Sequence, residues 1–131
     1  MQSSSTYLSY INQLKNNKQV YLNLRTYIKD AKFCMNNHTN NLNTAKTYFE
    51  AGYKEDNGTI FTGDLIINAC ESSESIYKRL EVLYNSINDE INTINRYISD
   101  YTNAYNRAVA QEREKARLKR EADAKLGFVS K

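Results

Sequence analysis

The feature that most constrains this chain is an apolar column that recurs every seven residues through its first half. Seven successive positions at this spacing are Tyr7, Leu14, Tyr21, Ile28, Met35, Leu42 and Phe49. A sustained heptad repeat is typical of a long α-helix that packs along one seam against another helix. The companion column, three residues further on, is small or polar at several levels, so the predicted seam is thin. It contains Tyr10, Asn17, Leu24, Ala31, His38, Ala45 and Gly52. N-cap candidates from Ser3 to Thr6, and Gly52 beyond the last repeat, predict a first helix over about 6–51.

The second half of the chain repeats this behaviour with two stronger apolar columns. One column contains Tyr77, Tyr84, Ile91, Ile98 and Tyr105. The other contains Leu80, Ile87, Ile94, Tyr101 and Ala108. A capping cluster at Thr62 and Asp64 predicts that this helix begins at about 64 and runs through 110 into the tail. We expect the two columns, apart from Ala108, to form the interface with a partner protein, although the pattern leaves open which seam lies inside the fold and which outside.

The composition supports an all-α fold. The chain of 131 residues has no proline and four glycines, too few for the many turns of an all-β domain. Gly52, the Asn57-Gly58 turn signal and Gly63 predict a loop of about a dozen residues between the helices. The sequence thus predicts a long antiparallel two-helix hairpin over residues 1–110. A lone hairpin is a marginal fold, because one interface must offset the ordering of the whole chain, so a partner is expected.

The charge lies in the tail. The formal net charge is +3, and residues 111–131 alone contain seven Lys/Arg and four Asp/Glu. Near-neighbour opposite charges there predict a solvated helical extension that frays before Gly127. A neutral body with a mixed-sign tail lacks the basic stripe of a nucleic-acid-binding protein.

No apolar run is long enough to enter a membrane, and no cleaved secretory signal is found at the start. We expect a protein made in the cytoplasm, and export without a cleaved signal peptide stays open.

The sequence offers no site for catalysis, a metal or a cofactor. The one histidine, His38, has no cluster of ligating residues at metal-binding spacing, so we expect a core or surface residue. In the predicted hairpin, Cys34 and Cys70 stand roughly 15 Å apart along the axis, too far for a disulfide. We expect both to be free, small core residues. We therefore predict a protein without enzymatic activity, and with no cofactor.

The predicted turn carries a family resemblance. Phe61, Thr62, Gly63 and Asp64 form an aromatic-any-glycine turn between two helices of similar length. This resembles the WXG family of small helical hairpins handled by type VII secretion systems of Gram-positive bacteria. The run from Leu42 through Tyr105 is more closely similar to the small helical partner proteins encoded beside LXG-domain toxins. The family's Tyr-x-x-x-Asp/Glu export signal occurs only at Tyr77–Glu81, inside the second helix, so the resemblance implies that a partner carries the signal.

The resemblance implies a function in protein export. Its members are hairpins that pair with a second helical hairpin, so the expected partners are the helical domain of a larger secreted effector and a second small helical protein. The expected role is to stabilise that effector and to help present it for export. The alternative is a structural coiled-coil protein, for example a phage or cell-architecture component, that forms homo-oligomers through the same seams.

Overall fold

The computed structural model consists of two long α-helices and describes residues 2–56 and 60–129, with the side chains of 2–48 and 65–127. Helix α1 spans Ser4–Asp56 and helix α2 spans Ile60–Val129. These described ranges contain no strand. The predicted all-α helical hairpin is confirmed.

Both helices extend past the ends that glycine predicted. Helix α1 continues through Gly52 to Asp56, and α2 begins at Ile60, ahead of Gly63. A single glycine inside a helix costs only about 1 kcal/mol relative to alanine, and the chain has no proline to interrupt the backbone hydrogen bonds. The predicted loop of a dozen residues is therefore wrong. The Asn57-Gly58 turn signal lies outside the described residues.

The turn motif falls in the same stretch. Phe61, Gly63 and Asp64 belong to the first turns of α2, and their side chains lie outside those described.

The first turn of α1 is capped from two sides. The Thr6 amide donates to Ser3 Oγ at 3.3 Å, which makes Ser3 the N-cap residue. The Glu112 carboxylate of α2 accepts hydrogen bonds from the Ser4 amide at 3.0 Å and from the Ser4 hydroxyl at 2.6 Å. A carboxylate at this position satisfies an amide that has no partner within the helix and complements the helix dipole. The start of α1 is thus fixed by its own serine and by α2.

The chain divides into two units, each made of a segment of α1 and a segment of α2. The terminal unit comprises Met1–Val20 and Ile91–Lys131, and the middle unit comprises Tyr21–Glu90. Within the terminal unit, the core residues Ile11, Ile91, Ile94 and Ala108 are each at most 5% exposed. Ser4 contacts Glu112, whereas Tyr10 contacts Tyr101, so the helices run antiparallel here.

The middle unit is also antiparallel. Arg25 donates to Asn88 at 3.0 Å, and further along α1 the Thr39 hydroxyl is hydrogen-bonded to Ser73. Its most buried side chains are Ile87, Cys70 and Ser73, all on α2. Among the side chains described for this unit, the core is therefore a single seam between two helices, without a second layer.

The charged tail is helical and solvated, as predicted. Residues 111–127 are all exposed. The Arg117 guanidinium forms ion pairs with Glu114 at 2.5 Å and with Glu121 at 2.6 Å. Helix α2 continues to Val129, past Gly127, before which the tail is predicted to fray. Ion pairs at i,i+3 and i,i+4 favour the helical state here without burial of apolar surface.

Candidate partner surface

Four of the residues predicted to bind a partner pack against α1 in the middle unit. Ile87 is 4% exposed, and Tyr77, Leu80 and Tyr84 are half-buried. The Lys32 ammonium lies 4.9 Å from the ring centroid of Tyr84 and 5.7 Å from that of Tyr77. A cation at this distance from an aromatic face is attracted by the ring quadrupole. These α2 residues therefore belong to the intramolecular seam.

The other five predicted interface residues line the seam of the terminal unit. They are Ile91, Ile94, Ile98, Tyr101 and Tyr105. Ile91 and Ile94 are buried, and the other three are half-buried. The Tyr101 ring centroid lies 6.2 Å from that of Tyr7 and 5.3 Å from that of Tyr10. The structure thus shows that this seam packs inside the hairpin, which the sequence alone left open. Binding of a partner to these residues stays a prediction, and it would require the two helices to separate.

The α1 side of the middle seam differs from the prediction. The first predicted column is correct: Tyr21, Ile28, Met35 and Leu42 are half-buried. The companion column is wrong, because Leu24 is 39% exposed and the side chains of Ala31, His38 and Ala45 are also exposed. The second seam column lies one residue later and contains Arg25, Lys32, Thr39 and Lys46, all half-buried. Helix α1 is thus rotated so that basic residues enter the seam and apolar residues leave it.

Specific partners on α2 compensate the basic residues. Lys32 is placed over two tyrosine rings, and Arg25 donates to the Asn88 side chain. Long basic side chains can also cover apolar surface with their methylene stems while the charged group reaches water. The rotation is therefore tolerated within the hairpin. It leaves the apolar companion column uncovered.

Several exposed apolar residues of the middle unit lie together on one side of the seam. In an antiparallel pair, the residues that directly precede the Arg25 column of α1 and those that directly precede the Tyr77 column of α2 flank the seam on one common face. On α1 these residues are Leu24, Ala31, His38 and Ala45, and on α2 they are Ala69, Ile76, Leu83 and Glu90. The contacts of Arg25 with Asn88 and of Thr39 with Ser73 place Ala31 level with Leu83. We refer to these eight residues as the apolar face.

Two tyrosines and a cysteine extend the apolar face along its α1 edge. Tyr27 and Tyr48 are 72% and 77% exposed, and Cys34 lies between them. On the α2 side, Ile76 and Leu83 are 45% and 44% exposed. Charged residues are rare and aromatic residues are enriched at the centres of protein interfaces, and this surface has both properties.

The opposite side of the middle unit has a different character. The positions that flank the seam there are Leu22, Lys29, Asn36, Asn43, Ile67, Glu74, Glu81 and Asn88. Phe33 and Val82 are 67% and 66% exposed, and both point away from the apolar face. Because these are single apolar residues among polar ones, they need no partner to explain them. Among the described flanking positions, two of eight are thus apolar on this side, against six of eight on the apolar face.

Both cysteines are free, as predicted, but only one belongs to the core. Cys70 is buried in the seam at 5% exposure, whereas Cys34 is exposed. His38 is exposed on the apolar face, consistent with the expectation of a core or surface residue. The sequence contains a signal for this surface, because the companion column on α1 is a heptad repeat. That column lies beside the seam and not within it.

Other surface features of the described residues are slight. They include no cluster of His, Cys, Asp or Glu that could hold a metal. A shallow depression of about 550 Å³ is lined by residues of a single helical stretch, from Glu71 to Val82, and is open to solvent. Neither described helix has an apolar stretch of the length that crossing a membrane requires. The hydroxyl and amide of Ser4 lower the pKa of the Glu112 carboxyl, and Arg117 lowers that of Glu114.

The sequence matches no model of a known protein family, and no curated protein or solved structure is similar to it.

Proposed function

We propose that this chain is a non-enzymatic partner protein that binds the helical N-terminal domain of a larger type VII secretion effector of the LXG toxin type. Binding stabilises the effector domain and helps present it for export. The chain acts through packing of helices against helices, and it uses no cofactor. A second small helical protein completes the complex with the effector.

One observation carries this proposal: the rotation of α1 in the middle unit. The hairpin places Arg25 and Lys32 in its own seam and leaves Leu24 and Ala31 in water. Such an arrangement runs against the usual burial preference of these residue types. Departures from local rules of this kind are expected where a surface serves function. A partner that covers the exposed column gives the arrangement a physical reason.

The resemblance supplies the identity of the partner class. The Phe61-Thr62-Gly63-Asp64 string and the heptad columns on both sides of it resemble the small helical proteins encoded beside LXG toxins. The confirmed helical hairpin agrees with this resemblance. Synthesis in the cytoplasm, followed by export with the effector, belongs to the same proposal.

The solution mass of the protein tests the proposal. Light scattering of the purified chain, alone and after co-expression with the helical domain of the neighbouring gene product, should show a monomer that becomes a stable unlike complex. The bound effector domain should also resist proteolysis better than the free domain. A stable homo-oligomer that ignores the neighbouring product would contradict the proposal and favour the self-assembling structural coiled coil instead.

A further inference from the structure

The size of the apolar face suits a protein interface. It extends from Leu24 to Tyr48 on α1, roughly 36 Å at 1.5 Å per residue. Two packed helices present a width of roughly 20 Å, so the side of the middle unit that contains the apolar face has a projected area of about 700 Å². A standard interface buries about 800 Å² on each partner. The middle unit alone can therefore supply one side of a specific complex.

The relief of the face suits an α-helix. Ala31, Ala45 and Ala69 are small residues beside the groove between α1 and α2, and Leu24, Ile76 and Leu83 are large residues at the equivalent heptad position, so side-chain size varies along the groove. Small side chains in such a groove act as holes for the large side chains of a helix that lies along it. The occupant that fits is a helix with a continuous stripe of large aliphatic residues.

The charge of Glu90 argues against a second copy of this chain. Glu90 is exposed at the end of the apolar face, level with Leu24. Two copies can cover the whole face by two-fold symmetry in two ways. In both ways the two-fold axis lies in the plane of contact. When the axis is perpendicular to the helices, Glu90 faces Ala69 of the second copy. When the axis is parallel to the helices, Glu90 faces Leu24 of the second copy. Either arrangement covers two carboxylates with apolar side chains, and an unpaired charge is costly to desolvate.

From these observations we infer that the apolar face binds an amphipathic helix of an unlike protein, which carries large aliphatic side chains along its centre and a Lys or Arg opposite Glu90. This inference rests on the proposed function and specifies where the effector helix binds. The basic residue of the partner removes the cost that self-pairing incurs. The tyrosines Tyr27 and Tyr48 then border the bound helix.

Two adjacent residues provide a matched pair of variants for the test. Leu83→Arg places a charge on the apolar face, and Val82→Arg places the same charge on the opposite side of the same helix turn. Binding of the full chain to the effector's helical domain is measured by calorimetry, with helicity checked by circular dichroism. Leu83→Arg should weaken binding by about tenfold or more, and Val82→Arg should change it by less than about twofold. Glu90→Lys should also weaken binding through charge repulsion.

Alkylation of Cys34 reports the location of the bound helix directly. Its thiol is exposed on the edge of the apolar face, whereas Cys70 is buried and serves as an internal control. Bound effector domain should protect Cys34 from a maleimide reagent, and Leu83→Arg should restore its reactivity. If the effector domain binds both arginine variants equally and leaves Cys34 reactive, the inference is overturned while the proposed function stands.

A synthetic probe separates the inference from the proposed function. Two peptides of about four heptads, with leucine at the seam positions, differ only in lysine or glutamate at both ends. The lysine peptide should bind more tightly to the wild-type chain and should lose this advantage with Glu90→Lys. If the effector domain does not bind, the proposed function fails. The inference also fails if the two peptides bind equally or do not bind at all. A homodimer that protects Cys34 and is dissociated by Leu83→Arg identifies a second copy as the occupant and overturns the inference.

Discussion

Truncation of Ile87 to alanine should destabilise the hairpin more than truncation of any exposed apolar residue on the same helix. Ile87 is 4% exposed in the middle seam, one residue from Asn88, which accepts the Arg25 hydrogen bond. Ile87→Ala removes three carbon groups from this seam. At about 0.8 kcal/mol per buried carbon group, the lost transfer free energy is about 2.4 kcal/mol.

The cavity left by Ile87→Ala should add little to this cost. Isoleucine-to-alanine changes in thick protein cores cost about 2–5 kcal/mol, and the upper values come from sites that cannot collapse. The middle seam is one layer deep, so half-buried neighbours such as Tyr84 and Lys32 can move towards the gap and water can enter it. We therefore expect a loss of about 2.5–3 kcal/mol in the free energy of unfolding.

Urea unfolding followed by circular dichroism measures this loss, at one fixed protein concentration because association changes apparent stability. Val82→Ala is the matched control, because Val82 is 66% exposed on the same helix. Its effect should stay within about 0.5 kcal/mol. A loss below about 1 kcal/mol for Ile87→Ala, or equal losses for both variants, would refute the assignment of the α2 columns to an intramolecular seam.

Three further predictions concern the chain ends and the thiols. Ser4 lowers the folded-state pKa of Glu112, so the hydrogen bonds of this carboxylate favour folding above the unfolded pKa and are lost as pH falls through the lowered folded pKa. The protection factors of the amides in the first turn of α1, which are exchange rates normalised to the unprotected rate at each pH, should therefore fall in acid. Glu112→Gln should abolish this pH dependence and give lower protection factors at neutral pH. Cys34 should react with a maleimide in the native protein, whereas Cys70 should react only after unfolding, and equal rates would contradict their assigned burial. Arg117→Ala should lower the helicity of the tail, which is measured as faster amide exchange, and should leave the urea midpoint of the hairpin unchanged. A shifted midpoint would show that the tail packs on the hairpin.

The sequence predicts the fold class well because the heptad signal is long. The column from Tyr21 to Leu42 lies in the seam as predicted. The columns of α2 that contain Tyr84 and Ile87, which the sequence predicts as a partner interface, also line the intramolecular seam. The helix ends are less predictable. Gly52 and Gly63 have turn propensity, but a cost of about 1 kcal/mol each does not end a helix that gains packing on both sides.

The orientation of α1 about its own axis was outside the reach of periodicity. The columns that contain Leu24 and Arg25 differ by one position, and both combine with the Tyr21 column into a valid heptad seam. The apolar column is the natural choice when α1 is considered alone. Lys32 and Arg25 enter the seam because α2 offers tyrosine rings and an asparagine at the matching levels. Such a preference depends on two distant segments and does not show in either helix separately.

The dependence of the α1 orientation on α2 also explains why the candidate binding surface lies beside the α2 columns that the sequence predicts as the partner interface. The α2 columns have the larger apolar area, and a hairpin that lacks a second layer uses that area for its own stability. What remains for a partner is the smaller surface that the seam does not consume, where Leu24, Ala31 and Leu83 stay in contact with water. Because Arg25 and Lys32 of α1 lie in the seam, the partner helix of the proposed function would meet this surface without having to desolvate their charges. The hairpin thus uses its larger apolar columns for its own seam and leaves a smaller apolar face uncovered.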